Sequence, residues 1–304
     1  MNREEFIKHA ETLSEEQLKE QVTIARKRAE ARIPEETTKL FRSLDEVTEV
    51  QELHLNTGRY NTRLYLVKET GAEENLSVLV NIHGGGWSLP HGERDIFFSR
   101  RMAHRLHCLV IDVDYVLAPE YPYPAAIEEL EDLLNAVPEV IGTYGGDPDR
   151  IAICGQSSGG NLAAAVLQRK NVKTKICGAL LCYLPGDNYT NRFGDDDLTP
   201  RDIDTEYYGF YYNRNFEDRR NSDVSLIFAS EDELKHFPRT DIMVCGLDSL
   251  KDEGIRYYDL LVKSGVKTNL KCFENSRHGF LINLYDEWQE GEDCAVKRIG
   301  SYFE

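Results

Sequence analysis

Long apolar runs are missing from this sequence. None of its 304 residues belongs to an uncharged apolar stretch of about 18 residues, the length of a membrane span, so we predict no membrane partner. The segment from Met1 to Ala10 is charged and lacks the apolar core of a signal peptide. We therefore expect a cytoplasmic protein.

The sequence also lacks the cysteine spacing of a metal or redox site. None of its seven cysteines stands in a Cys-x-x-Cys pair. Six lie in or beside apolar, strand-like segments and the last lies in a helical pattern. In chain order they are Cys108, Cys154, Cys177, Cys182, Cys245, Cys272 and Cys294. Free cysteine behaves as a small buried hydrophobic residue in a reducing cytosol, so we predict buried thiols and no zinc or redox site at the cysteines.

Basic residues are few compared with acidic ones. The chain has 36 Lys and Arg against 53 Asp and Glu, a formal net charge of −17. Such a surface repels nucleic acid and anionic membranes, which excludes a nucleic-acid partner. The acidic run Asp195-Asp196-Asp197 lacks the glycine and the distal glutamate of a calcium loop, so we expect a solvated turn there.

What the sequence does contain begins with helical patterns over its first 40 residues. Ser14 and Gln17 have the spacing of a helix-capping box, and apolar residues then recur at helical spacing. Pro34 is predicted to start a further short helical piece ahead of Phe41.

A hairpin and a series of buried strands are predicted next. Two alternating stretches, Val47–Leu55 and Tyr60–Val67, are separated by the turn Asn56-Thr57-Gly58. Nearly continuous apolar runs then alternate with helical segments. The runs are 76–82, 108–113, 150–154, 176–184, 241–246 and 268–273, and the helical segments are 95–107, 122–137, 158–170, 250–264 and 286–303. Strands buried on both faces have such sequences, so we predict an α/β fold with a mostly parallel sheet of about eight strands flanked by helices.

The segment between Gly186 and Ala229 interrupts this alternation. It contains no strand–helix unit and is polar and aromatic, with a run of aromatic residues and one glycine over Tyr207–Tyr212. An insertion of this length in a compact domain is usually a lid or a binding element, and we expect one here.

The strongest chemical motif is Gly155-Gln156-Ser157-Ser158-Gly159-Gly160. It follows a strand-like run and opens a helical one, which is the context of a nucleophile elbow. The glycines keep the tight turn free of bulky side chains, and the helix dipole favours negative charge that develops beside Ser157. We predict that Ser157 is a nucleophile; the alternative is a helix start that merely contains serine and glycine.

A second motif, His83-Gly84-Gly85-Gly86-Trp87, directly follows the run 76–82. Three glycines let backbone N–H groups approach a ligand oxygen closely, and a tetrahedral acyl intermediate needs such donors. We predict an oxyanion hole formed by these glycines and the N–H of Ser158. The alternative is a flexible turn. We expect His83 to be a structural histidine of the loop.

The order nucleophile, acid, base along the chain selects the general base. Only two histidines follow Ser157. His278 comes just after the last predicted strand, where a loop can reach back over the serine. His236 precedes a strand and is poorly placed. We predict His278 as the base.

The acid is selected in the same way. Asp248 follows a predicted strand and precedes a helix, and strand carboxyl ends are where sites form in such sheets. Asp252 and Glu253 are competitors, but both fall at the helix start, where we expect them to cap it or lie exposed. The predicted catalytic triad is therefore Ser157, Asp248 and His278. The chemistry of this triad requires no metal and no organic cofactor, so we expect neither.

The motifs together resemble those of the hormone-sensitive-lipase-like esterases of the α/β-hydrolase fold. The glycine loop of that family is matched at 83–87, and its Asp-Tyr-x-Leu-Ala-Pro-Glu segment at Asp114–Glu120. Its acid motif is matched at Asp248–Glu253 and its His-Gly-Phe at His278–Phe280. The resemblance extends from about Leu76 to the C-terminus.

This resemblance implies an organisation and an activity. It implies an α/β-hydrolase domain over residues 46–304 with a helical cap, formed by residues 1–45 and an insertion at about 187–225. It implies a serine carboxylesterase that hydrolyses short-chain acyl esters, from acetyl to about hexanoyl, through an acyl-enzyme intermediate. It also suggests a homodimer.

Two residues depart from the family pattern. Gln156 stands where the family usually has Asp or Glu before the nucleophile, which removes a negative charge beside the site. Ser249 stands in place of proline and loosens the loop that holds Asp248. Both changes leave the triad in place, but they are expected to affect activity or its pH dependence.

Aromatic residues offer a candidate substrate pocket. Trp87, Tyr207, Tyr208 and Tyr211 could line an acyl or alcohol pocket, or the tyrosines could pack a cap helix onto the core. Tyrosine hydroxyls could also bind a sugar, which extends the hypothesis to acetylated carbohydrate.

Two other functions stay open at the level of the sequence. An amidase or peptidase can use the same triad, and sequence separates it poorly from an esterase. Some relatives are small-molecule receptors without hydrolytic activity, but these typically lose the catalytic histidine, which is present here as His278.

Overall fold

The alternating and continuous apolar runs of the sequence form eight strands. They are β1 (Thr48–Asn56), β2 (Asn61–Glu69), β3 (Leu76–Ile82), β4 (Leu109–Asp114), β5 (Gly146–Gln156), β6 (Ile176–Cys182), β7 (Arg239–Cys245) and β8 (Thr268–Phe273). They form one sheet in the order β1-β2-β4-β3-β5-β6-β7-β8. β2 is antiparallel to β1 and β4, and the other neighbours are parallel. The predicted mostly parallel sheet with a hairpin at one edge is confirmed.

The helical patterns are also present, in a computed structural model that describes residues 1–29, 39, 42–194 and 196–304. Helices among these residues include α1 (Arg3–Glu11), α2 (Glu15–Ala29), α3 (Glu93–Leu106), α4 (Ala125–Val140), α5 (Ser158–Gln168), α6 (Pro200–Tyr212), α7 (Glu231–Leu234), α8 (Lys251–Lys263), α9 (Phe280–Asn283) and α10 (Trp288–Gly300). The predicted helical piece from Pro34 towards Phe41, and Asp195 of the acidic run, lie outside the described residues. Within the described ranges, no helix is long and apolar enough to cross a membrane.

The sheet divides the apolar core into two layers. On one face, Val110 and other strand residues pack against Phe98 and Met102 of α3 and Ile299 of α10. On the other face, Ile111 and its neighbours pack against helices that include α4, α5 and α8. The alternation of consecutive strand residues between two fully buried layers explains the continuous apolar runs in the sequence.

A helical face made by α1 and α6 covers part of the second layer. The ring of Phe6 packs edge-on against Tyr207, with ring centroids 4.8 Å apart. Arg3 forms a buried ion pair with Glu206 at 3.0 Å, and Arg219 contributes a second buried guanidinium 3.9 Å from the same carboxylate. These segments fall within the predicted cap (residues 1–45 and about 187–225), whose role as a cap stays a prediction.

The parallel strands place the sequence motifs at one edge of the sheet. The glycine loop follows β3, Ser157 follows β5, Asp248 follows β7 and His278 follows β8. Because these strands are parallel, their carboxyl ends lie at the same edge, where sites form in such folds.

Candidate active site

The turn between β5 and α5 holds Ser157 in a strained backbone conformation, with φ 52° and ψ −124°. Its N–H donates to the carbonyl oxygen of Cys182 at the end of β6, at 2.9 Å. A Cβ atom on Gly159 would overlap the carbonyl oxygens of Ile82 and His83. Glycine is therefore required at this position, because the start of α5 packs directly on the backbone that follows β3.

The three predicted triad residues lie within hydrogen-bond distance of one another. Ser157 Oγ is 2.8 Å from His278 Nε2, and His278 Nδ1 is 2.7 Å from Asp248 Oδ2. Asp248 is nearly buried, with 3% of its side chain exposed, and it also accepts a hydrogen bond from the N–H of Leu250. The hydroxyl of Tyr285 donates to the carbonyl oxygen of His278 and so holds the loop that carries the imidazole.

The competing residues lie elsewhere. His236 is exposed after α7, and Asp252 is exposed in the first turn of α8. Glu253 is buried, whereas the sequence led us to expect capping or exposure. Its carboxylate accepts hydrogen bonds from the N–H groups of Gly186 and Asp187, at 2.9 and 3.0 Å. These bonds anchor the start of the inserted segment to α8.

The glycine loop lies against the nucleophile turn. A Cβ atom on Gly84 would be 2.9 Å from the carbonyl oxygen of Gln156 and 3.2 Å from Ser157 Cβ. Gly85 and Gly86 have φ values of 130° and 58°, and within the described residues their N–H groups donate to no protein acceptor. Ser158 is the first residue of α5, so its N–H has no intrahelical acceptor. These donors are available to an oxyanion beside Ser157.

A cavity of about 380 Å³ contains the triad and the glycine loop. Its size is at the lower end of small-molecule pockets, which range from about 300 to 1,000 Å³. Trp87 and Tyr208 of the predicted pocket residues line it. Trp87 is also stacked on Tyr212, with ring centroids 4.6 Å apart, so it belongs to both the wall and the packing beneath.

Tyr207 and Tyr211 are not brought to this cavity. They stack on each other at 5.8 Å and border a smaller cavity of about 200 Å³ against α2. Residues four apart share one face of a helix, whereas Tyr208 projects from a different face of α6. For these two tyrosines the packing alternative describes the structure, and of the three predicted tyrosines Tyr208 alone borders both cavities.

A buried chain of hydrogen bonds leads away from Gln156, the residue that replaces the acidic residue of the family pattern. Gln156 Nε2 donates to Asn81 Oδ1 at 2.8 Å, and Asn81 Nδ2 donates to Asp112 Oδ1 at 2.8 Å. Asp112 Oδ2 lies 3.0 Å from His91 Nε2. The chain crosses the ends of three adjacent strands, β5, β3 and β4. A negative charge is therefore present near the site, but two side chains deeper than the family pattern places it.

The contact between Asp112 and His91 determines the charges along this chain of hydrogen bonds. Burial alone would lower the pKa of His91, but the adjacent Asp112 carboxylate outweighs it and raises this pKa to about 9. Burial also opposes ionisation of Asp112, yet His91 holds the pKa of this carboxyl below its usual range. Burial lowers the pKa of His83, whose Nδ1 lies 2.7 Å from the carbonyl oxygen of Gly84.

Several cavity residues were not predicted from the sequence. Arg94 in the first turn of α3 donates to Asn283 Oδ1 at 2.7 Å, and Arg201 lies in the first turn of α6. Tyr183, which follows β6 at φ 40°, presents its ring edge-on to His278 at 5.2 Å. The sequence carries no usable signal for the two arginines, because Arg94 precedes the predicted helical segment 95–107 and no helix was predicted around Arg201.

The chain is similar to known proteins over most of its length. A family model described as alpha/beta hydrolase fold matches residues 79–282. Carboxylesterase NlhH of Mycobacterium tuberculosis is 33% identical over 217 residues, covering 68% of this chain and 67% of that protein. Arylesterase of Saccharolobus solfataricus is 30% identical over 247 residues, 78% of each chain. The solved structure of an esterase from Pyrobaculum calidifontis has a TM-score of 0.79 at 26% identity, covering 92% of this chain and 93% of that one.

The chain therefore belongs to the α/β-hydrolase fold family, since the family model matches more than half of it. Within that family, the resemblance to the hormone-sensitive-lipase-like esterases is confirmed. The predicted class of enzyme, a carboxylic ester hydrolase, is confirmed by the same relatives.

Proposed function

We propose that this ester hydrolase is a serine carboxylesterase that cleaves short-chain acyl esters through an acyl-enzyme intermediate. The observation that carries the proposal is the hydrogen-bonded chain from Asp248 through His278 to Ser157 Oγ, with links of 2.7 and 2.8 Å, inside a cavity. In this arrangement the imidazole can take the hydroxyl proton as the oxygen attacks, and the carboxylate fixes the imidazole tautomer.

Acylation begins when Ser157 Oγ attacks the ester carbonyl carbon and its proton passes to His278 Nε2. The carbonyl π electrons move to oxygen, and the oxyanion accepts hydrogen bonds from the N–H groups of the glycine loop and of Ser158. The intermediate collapses, the bond to the alcohol oxygen breaks, and the imidazolium donates its proton to the leaving alkoxide. The Asp248 carboxylate stabilises the imidazolium during these steps.

Deacylation repeats the sequence with water. His278 takes a proton from a water molecule as its oxygen attacks the acyl carbon, and the second intermediate expels Ser157 Oγ, which recovers a proton from the imidazolium. The carboxylic acid product then leaves. All proton transfers occur between atoms of the triad, the water and the substrate.

The cavity supports small substrates. Its volume of about 380 Å³ favours short acyl groups over long ones. We do not extend the proposal to acetylated carbohydrate, because two of the three tyrosines behind that hypothesis border the smaller cavity instead. The cytoplasmic location and the homodimer stay predictions from the sequence.

The first test is hydrolysis of p-nitrophenyl esters from acetate to dodecanoate by the wild type and by Ser157→Ala. We expect turnover of short chains and a loss of at least about 10,000-fold in kcat for the variant, since the triad acts as a unit. Ser264→Ala, which removes a hydroxyl at the end of α8, is the control and should retain wild-type rates. A wild type that cleaves no ester, or an active Ser157→Ala, contradicts the proposal.

A further inference from the structure

Among the described residues that line the cavity with the triad, two arginines have no ion-pair partner. Three arginines line it, Arg94, Arg192 and Arg201, although the protein has a net charge of −17. Arg192 has a carboxylate partner, Glu253, at 2.7 Å. Within the described residues, neither Arg94 nor Arg201 forms an ion pair, whereas most other arginines do.

Both unpaired arginines occupy positions that local structure disfavours. Arg94 is the second residue of α3 and Arg201 the second residue of α6. The N-terminus of a helix carries partial positive charge, so a cation in the first turn is unfavourable. Residues that break such a local rule without structural compensation are often functional. Here both break it beside the same cavity.

The arginines approach the segment that follows His278. Arg94 donates one N–H to Asn283 Oδ1 at 2.7 Å, and Asn283 in turn donates to the carbonyl oxygen of Gly279. Arg201 lines the same cavity as Gly279 and Asn283. Arg94 and Arg201 therefore line the cavity together with His278 and the segment that follows it.

Three acidic residues line the same cavity, and within the described residues none of them forms an ion pair with Arg94 or Arg201. Asp248 is engaged with His278. Asp95 is buried, accepts a hydrogen bond from the N–H of Gly92, and its pKa is raised by burial. Asp204 is exposed, borders both cavities and lies three residues after Arg201 on α6.

We propose that the cavity selects esters that carry a carboxylate group, bound by the guanidinium groups of Arg94 and Arg201 while the ester carbonyl lies at Ser157. Guanidinium and carboxylate form paired, charge-assisted hydrogen bonds, and arginine is the preferred residue for such recognition. The inference rests on the proposed hydrolysis at Ser157. It adds the chemical class of substrate, an acidic ester.

The test compares acidic esters with neutral esters of the same shape. One pair carries the charge on the acyl side, the p-nitrophenyl monoester of adipic acid and its primary amide. The other carries it on the alcohol side, 4-acetoxybenzoate and 4-acetoxybenzamide. The quantity measured is the ratio of kcat/KM for the acid to that for the amide. The pair with the higher wild-type ratio identifies the side on which the carboxylate lies.

The variants separate charge from shape. Because a hydrogen bond to a charged group is roughly twice as strong as a neutral one, we expect Arg94→Gln and Arg201→Gln each to lower the acid-to-amide ratio by about 10-fold. The matching lysine variants keep the positive charge and should retain a higher ratio than the glutamines. Arg59→Gln removes an arginine at the exposed hairpin, paired with Glu128, and should leave the ratio unchanged.

The outcomes also separate this inference from the proposed function. An acid-to-amide ratio near one in the wild type, or equal losses on acid and amide in both glutamine variants, overturns the substrate class while hydrolysis stands. Binding of the intact esters to Ser157→Ala by calorimetry tests recognition without turnover. If the acids bind more tightly than the amides but the wild type hydrolyses neither, the proposed function fails and the carboxylate site stands.

Discussion

The two walls of the active-site cavity are built in different ways. The strand-end wall, formed by the glycine loop, the turn at Ser157 and the loops that hold Asp248 and His278, rests on the sheet. The helical wall, formed by α6 and the part of the inserted segment that precedes it, is held against α1 by buried ion pairs such as Arg3 with Glu206. Close-packed backbone fixes geometry more tightly than ion pairs, whose net contribution depends on the balance of desolvation and attraction.

We infer that the two walls contribute to different steps, one to the reaction and the other to substrate selection. The strand-end wall places the reacting atoms, because a tight turn and a strand end leave little freedom to the residues that they carry. The helical wall contributes Arg201 and Tyr208 to the cavity and none of the triad, so we expect it to affect substrate selection more than the chemical step. Changes in the two walls should therefore have different consequences for stability and for catalysis.

The largest effect is expected in the helical wall, for Glu206→Gln. The substitution leaves Arg3 and Arg219 as buried guanidinium groups without a charged partner, which typically costs about 3–5 kcal/mol of the free energy of unfolding. Urea denaturation measures it. Glu217→Gln, at an exposed position two residues before Arg219, is the control and should have almost no effect on the free energy of unfolding.

The same variant tests whether the helical wall influences the position of the triad. Under conditions in which Glu206→Gln remains folded, the reaction of Ser157 with an organophosphonate should proceed at the wild-type rate. A large loss of that reactivity without loss of stability would mean that the helical wall also fixes the triad. The inferred separation of the two walls would then be wrong.

Much of the strand-end wall was predictable from the sequence because its motifs are local. The glycine loop, the turn around Ser157 and the order of acid and base each occupy a few consecutive residues that follow a recognisable strand. The hydrogen-bond chain behind Gln156 was not predicted. Asn81 and Asp112 appear only as single polar residues in apolar strands, and their pairing depends on the register between β3 and β4.

The helical wall was less predictable for a different reason. The aromatic run Tyr207–Tyr212 indicates that something packs here, but the faces of α6 are assigned only when α1 and α2 are in place. Tyr207 and Tyr211 then face these helices and Tyr208 faces the triad cavity. Sequence composition gives the residue types, whereas tertiary packing decides which of them reach substrate.

A smaller effect is expected in the strand-end wall, from the buried pair of His91 and Asp112. The pKa of His91 is about 9 in the folded protein and near 6.5 in the unfolded chain. The protonated imidazole therefore stabilises the fold fully below about pH 6.5, by about 3 kcal/mol, and this contribution is lost as pH rises through about 9. The groups that face His91 are Asp112, Asp95, Asp114, His83 and Tyr65.

Urea denaturation between pH 6 and 10 measures this contribution. The wild type should lose stability through the alkaline range, and His91→Gln should remove that part of the pH dependence. His236→Gln, at an exposed position, should leave the profile unchanged. An unchanged alkaline profile in His91→Gln would show that the pair is not charged as proposed, and that the strand-end wall depends on packing alone.

The smallest expected effect comes from changing the direction of the hydrogen bonds that lead from Gln156 to Asp112. In the wild type, Gln156 and Asn81 both donate towards the Asp112 carboxylate. Gln156→Glu places a second carboxylate against the side-chain oxygen Oδ1 of Asn81. Because these two oxygens repel, we expect kcat to fall by about 10-fold, an effect of about 1.4 kcal/mol, with little change in KM. Steady-state kinetics with p-nitrophenyl acetate measures the separation of the two constants.

The double variant Gln156→Glu with Asp112→Asn reverses the direction of the two hydrogen bonds made by Asn81. The amide introduced on β4 can then donate to Asn81, whose own amide turns to donate to the carboxylate introduced on β5, and the buried negative charge stands where the family pattern has it. If the chain acts by orienting the residue beside Ser157, the double variant recovers most of the kcat that Gln156→Glu loses, a coupling that independent sites would not show. If the two losses simply add, the chain stabilises the strand ends without positioning the nucleophile, and the reactive geometry depends on the backbone turn alone.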